Sequence, residues 1–154
     1  SGLTVVDVGC GTGAALRHAS KSVTRGVLIG VDPVARMLDI ARERVEGHPA
    51  AGRIEFRRGF ARELPVDDQT ANIVLALDSF DHWEEPSIGL AEVARILTPD
   101  GRFVVAKDRS VPGFSDNWAT FLDAVEAAGF STLRQQEISA DGLDFQVWSG
   151  KYNR

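Results

Sequence analysis

The chain has 154 residues, 44% hydrophobic and 25% charged, which fits one ordinary domain with a single core. Lys plus Arg number 17 against 22 Asp plus Glu, a formal charge of -5 with no basic stripe, and this argues against nucleic acid as a partner. No run approaches the roughly 20 apolar residues of a membrane span, and no charged-then-apolar leader precedes the first apolar run, so a cytoplasmic protein is expected.

The first element is a strand over residues 4–8, which runs into Gly9-Cys10-Gly11-Thr12-Gly13 and a helix over 13–20. The glycines let a strand turn sharply into a helix and bring bare backbone N–H groups close to a ligand. They do not choose that ligand: a tight turn alone would use them, and Gly9, Gly11 and Ala14 also satisfy the looser dinucleotide pattern G-x-G-x-x-G/A. Cys10, the only cysteine, excludes an intrachain disulfide framework, suits a reducing compartment and reads as packed rather than nucleophilic.

A second strand over 26–31 ends at Asp32-Pro33, a capping carboxylate and a proline placed to begin a helix over 33–45. At the end of a second strand the same carboxylate is positioned to accept both hydrogen bonds of a ribose diol. Further strands over 54–57, 72–77 and 102–106 alternate with helices over 86–97 and 116–128, with Pro99-Asp100-Gly101 expected to separate the third of these helices from the fifth strand. Gly129 ends the last helix, and strands over 131–138 and 143–150 flank a turn-rich link. This order predicts an α/β fold with a mostly parallel, Rossmann-like sheet, helices on both faces and an antiparallel C-terminal hairpin.

VVDVGCGTG at 5–13, GVDPVARML at 30–38, GFARELPVDD at 59–68 and DHWEEPSIGLAEVARILTPDGRFVVAKD at 81–108 resemble the class I S-adenosylmethionine-dependent methyltransferases, nearest to the branch that methylates quinones, sterols and other small molecules. The resemblance implies a seven-stranded sheet, S-adenosylmethionine as cofactor and S-adenosylhomocysteine as product. It assigns Asp7 and the backbone of Val8, Gly9, Cys10 and Gly11 to the methionine end, and Gly13 to the close turn. Asp32 and Pro33 fall to the ribose, Met37, Phe60 and Ala61 to the adenine, and Leu77 and Asp78 to the amino group and reactive methyl. It further implies a helical N-terminal cover that this stretch largely lacks, so the site for a small-molecule acceptor is expected to be open, completed by a second chain in a homo-oligomer, or supplied elsewhere.

One departure bears on binding. The family commonly writes Gly-Asp-Ala where this chain has Gly59-Phe60-Ala61, and Phe60 offers no acceptor to the adenine amino group; one such bond is worth roughly 1 kcal/mol.

The sulfonium already makes the methyl electrophilic, so alignment is the main demand, and a general base is needed only if the acceptor must lose a proton. Asp78, Asp81 and His82 are candidates for that base; His82 also reads as structural, beside a Trp83 packed under the next helix. Lys107, Asp108 and Arg109 read either as a contact for an anionic acceptor or as a solvated charge cluster, and Phe114 and Trp118 as acceptor lining or helix anchors. His18 and His48 read as surface residues, and no ligand spacing suggests a metal. A catalytically silent binding or regulatory module and, less favoured, a nicotinamide oxidoreductase are the alternatives; Asp7 and Gly13 speak against the latter.

Overall fold

A computed structural model describes residues 2–154. Strands β1 (Leu3–Val8), β2 (Gly26–Asp32), β3 (Ile54–Arg58), β4 (Ala71–Leu77), β5 (Leu97–Asp108), β6 (Phe130–Ala140) and β7 (Leu143–Tyr152) form one seven-stranded sheet in the order β3-β2-β1-β4-β5-β7-β6. The pairs from β3 to β5 are parallel, and β7 runs antiparallel to both β5 and β6. Helices α1 (Ala14–Ala19), α2 (Ala35–Val45), α3 (Pro86–Ile96) and α4 (Phe114–Ala127) supply the crossovers and the link to the hairpin. No helix among the described residues is long and apolar enough to cross a membrane.

The core follows from strand parity, because alternate side chains leave opposite faces of a sheet. Val5, Leu28 and Ile54 pack with Leu16 of α1 and with Leu38 and Ala41 of α2. Val6, Val8, Val31, Val74, Phe103 and Val105 pack on the other face with Leu90 and Val93 of α3 and Phe121 and Val125 of α4. Both faces are therefore covered, which is why the central strands read as unbroken apolar runs.

Two expected boundaries differ. Asp32-Pro33 does not start α2 directly: the helix begins at Ala35, and Val34 occupies the capping position. Asp32 nonetheless caps the approach, its Oδ1 accepting from Val34 N at 2.9 Å. Pro99-Asp100-Gly101 lies within β5 rather than before it, because Leu97 already pairs with Ala71 before the register shifts and Arg102 resumes opposite Ile73. An irregularity of this kind absorbs a proline and a glycine without ending the strand.

The chain order reverses between β1 and β4: β2 and β3 lie to one side, β4 and β5 to the other. A crevice opens at the carboxyl ends of strands at such a switch point. Two loops are fixed there. Gly9, at φ 80, has its missing Cβ only 2.5 Å from Ser79 Cβ, while Ser79 Oγ donates to Val8 O at 2.7 Å. Gly9→Ala should cost about 2–3 kcal/mol, from a left-handed backbone plus displacement of Ser79, and lower the thermal midpoint by several degrees. A midpoint within a degree of wild type would show that the two loops are not locked together. The irregular segment after β3 is held from α3, where Glu92 accepts from Leu64 N at 2.8 Å and Arg95 donates to Leu64 O, Val66 O and Asp68.

Candidate functional site

A cavity of about 340 Å³ occupies the switch point. Its walls are the ends of β1 (Val8, Gly9), β2 (Val31, Asp32) and β4 (Leu77, Asp78), the segment Gly59–Arg62 after β3, and the segment after β4 that includes His82 and Trp83. Of the residues singled out in the sequence, the structure brings Gly9, Asp32, Pro33, Phe60, Ala61, Leu77, Asp78 and His82 together on this wall. Asp7, Cys10, Gly11 and Gly13 sit in and behind the glycine turn. Met37 is not on the cavity wall; it lies in the first turn of α2, 36% exposed.

Asp32 ties the turn to the sheet. It is buried, Oδ2 accepting from Gly11 N at 2.9 Å and Oδ1 from Val34 N. Each carboxylate oxygen keeps a further lone pair, so the group still has capacity for a diol. Gly11, at φ 53, has nothing within 4 Å of the position a Cβ would take, so that side of the turn stays open to a ligand.

Asp7 carries the most unusual environment. It sits between Gly30 of β2 and Leu75 of β4, is 2% exposed, and its Oδ1 has no hydrogen-bond partner among the described residues. Burial, and secondarily the nearby Asp32 charge, push its carboxyl up to about 7. Burial and the same two carboxylates push the Cys10 thiol up to about 12, which leaves it a packed and inert thiol.

The β4 exit is strained and braced. Asp78 holds φ 54, rare for a non-glycine residue, with its N donating to Ala106 O at 2.9 Å and its Oδ1 accepting from Asp108 N at 2.8 Å. The following 3-10 turn, Phe80–His82, leaves the His82 side chain exposed at the cavity, and Trp83 packs 2.7 Å from where Gly89 of α3 would carry a Cβ. Trp83 thus has the structural place expected of it and also lines the cavity.

Two residues of the wall had no sequence signal. Ser79 is a buried hydroxyl bridging two loops. Arg62 stacks over the Phe60 ring at 4.3 Å and pairs with Glu84 at 2.8 Å, joining the segment after β3 to the segment after β4 across the mouth. Glu84 is largely exposed and Arg62 about a third exposed, so the pair is worth no more than about 1 kcal/mol.

Outside the cavity, Arg109 pairs with Glu137 at 3.2 Å, and Phe114 stacks with Trp118, which donates to Gln135. Lys107 is buried rather than solvated. His18 is exposed, while His48 is half-buried and accepts from Ala50 N at 3.1 Å.

A family model described as a methyltransferase domain matches residues 6–105. The demethylmenaquinone methyltransferase of Symbiobacterium thermophilum is 33% identical, over 87% of this chain and 56% of its own length. A crystal structure of a SAM-dependent methyltransferase from Aquifex aeolicus superimposes with a TM-score of 0.80, at 24% identity, over 97% of this chain and 82% of that one. The [4+2]-cyclase SpnF superimposes with a TM-score of 0.83 at 18% identity, over 99% of this chain and 76% of its own, so the fold alone does not specify a reaction. The chain spans about half the length of the curated relatives it matches.

Proposed function

The chain belongs to the class I S-adenosylmethionine-dependent methyltransferases, and from that premise we propose that residues 1–154 form one cofactor-binding domain that transfers a methyl group to a small or medium-sized acceptor. The observation that carries the reading is Asp7, a buried carboxylate oxygen with no partner behind a glycine turn. An orphaned buried acceptor is costly, and a ligand ammonium is the kind of group that relieves it.

The residues present fit the cofactor. Asp7 and the turn Gly9–Gly11 would take the methionine end, Asp32 the ribose diol, and Phe60 with Ala61 the adenine, where a ring face replaces a hydrogen-bond acceptor. When bound, S-adenosylmethionine supplies a methyl already activated by its sulfonium.

The chain's own work is then placement. Asp32 holds the turn at Gly11 N, and Gly9 brings Val8 and Ser79 together so that the β1 and β4 ends keep one spacing. Leu77 and Trp83 supply apolar wall that excludes water. Asp78 is braced by Asp108 N and so is held for orientation; His82, exposed on the wall, has the freedom to take a proton from an acceptor that must lose one.

Calorimetric titration of the purified chain tests the reading. Micromolar binding of S-adenosylmethionine and S-adenosylhomocysteine, with none for NADH, is the expected outcome. Absence of binding would favour the catalytically silent module, and NADH binding the oxidoreductase.

A further inference from the structure

Lys107 is the inward residue at the end of β5, on the same face as Phe103 and Val105, and it is 4% exposed. Its Nζ donates to Asp81 Oδ1 at 2.6 Å and lies 5.1 Å from the ring centroids of both Phe80 and Phe121. Only the lysine end is desolvated, Asp81 being half-exposed; the cost of burying the ammonium offsets much of the attraction, so the pair adds little net stability, and an apolar residue at 107 would pack as Val105 does. What the pair does supply is direction, because a short charge-assisted hydrogen bond fixes one arrangement of the segment that bears Asp81.

That segment is the 3-10 turn Phe80–His82. The cavity residues Asp78 and Ser79 precede it and Trp83 follows it. Asp78 at its start holds a left-handed backbone, a conformation that persists only when the surroundings enforce it. We propose that Lys107 is a positioning residue of this site: through Asp81, and with its ammonium seated against Phe80 and Phe121, it holds residues 78–83 in the conformation that completes the cavity wall. Lys107 does not itself line the cavity. The proposal rests on the cofactor reading for its ligand, though not for its conformational part.

The experiment measures three quantities on the full chain: S-adenosylhomocysteine affinity by calorimetry, hydrogen exchange of amides 78–83 with those of β1 and β2 as internal reference, and the thermal midpoint. Lys107→Met should speed exchange at 78–83 by about tenfold with the reference amides unchanged, and weaken S-adenosylhomocysteine by about tenfold. Asp81→Asn, at a half-exposed position, should do the same more mildly, and it decides the question if Lys107→Met does not fold. The double variant Lys107→Met/Asp81→Leu should recover the midpoint, because both ends are now apolar, without recovering slow exchange or affinity.

Exchange and affinity within twofold of wild type in the single variants would overturn the proposal. So would a double variant that recovers all three quantities together, since the pair would then be packing and nothing more. If the wild-type chain binds no S-adenosylhomocysteine, the cofactor reading fails and exchange at 78–83 alone decides the role of Lys107.

Discussion

Asp32→Ala should remove S-adenosylhomocysteine from the range of calorimetric detection, a loss of roughly 100-fold or more, while the chain remains folded. The carboxylate is 7% exposed and serves two backbone donors already, Gly11 N at 2.9 Å and Val34 N at 2.9 Å. Hydrogen bonds to a charged group contribute about 1.5–3 kcal/mol each, so losing the diol contacts alone reaches the expected factor, and freeing Gly11 adds the cost of reordering the turn on binding. The two effects separate with Asp32→Asn, whose single carbonyl oxygen can serve Gly11 or Val34 but not both together with a diol. An intermediate affinity is expected. Removing the Asp32 charge also removes one of the two influences that raise the Asp7 carboxyl, so both substitutions should lower its protonation range. Affinity for S-adenosylhomocysteine within threefold of wild type in Asp32→Ala would mean that the ribose is held elsewhere.

The strands were legible because strands covered on both faces leave unbroken apolar runs, and the site followed from chain order, since glycines after the first strand and a carboxylate after the second must share the carboxyl edge of the sheet. Pro99 misled because a register irregularity inside a strand accommodates residues that usually end one. Asp32 read as a helix cap or a ribose ligand; that it also anchors Gly11, 21 residues away, has no local pattern to announce it. The Arg62 bridge to Glu84 across the mouth is hidden for the same reason. Lys107 was within reach: Phe103, Val105 and Lys107 share strand parity, and following that alternation two residues further would have separated a buried lysine from the solvated Asp108 and Arg109. Met37 was assigned by resemblance alone, and no local pattern gives its distance from the cavity wall, from which it stands apart.

The stability of the ligand-free chain should fall as pH rises from about 4 to about 7, and Asp7→Asn should abolish that dependence. Burial raises the Asp7 carboxyl to about 7 in the folded chain from its ordinary value of 3.8, so across this window the folded state binds the extra proton and stability decreases with pH. A difference of about 3 units corresponds to about 4 kcal/mol, fully present as a penalty above pH 7 and absent below pH 4. The thermal midpoint of Asp7→Asn should therefore exceed that of wild type at pH 8, by as much as about 10 °C, with the gap closing toward pH 5. A gap of the same size at pH 5 and pH 8 would show that Asp7 does not titrate in this window. Binding should run the opposite way. An amino acid ammonium seated at the carboxylate favours its ionised form, so S-adenosylhomocysteine affinity should rise about tenfold between pH 6 and pH 8, with proton release on binding near neutral pH. Asp7→Asn should lose both signals, giving a chain that is more stable at pH 8 and binds more weakly. That opposition distinguishes a carboxylate kept unpartnered for a ligand from one that is merely buried, because a buried structural aspartate replaced by asparagine has no affinity to lose.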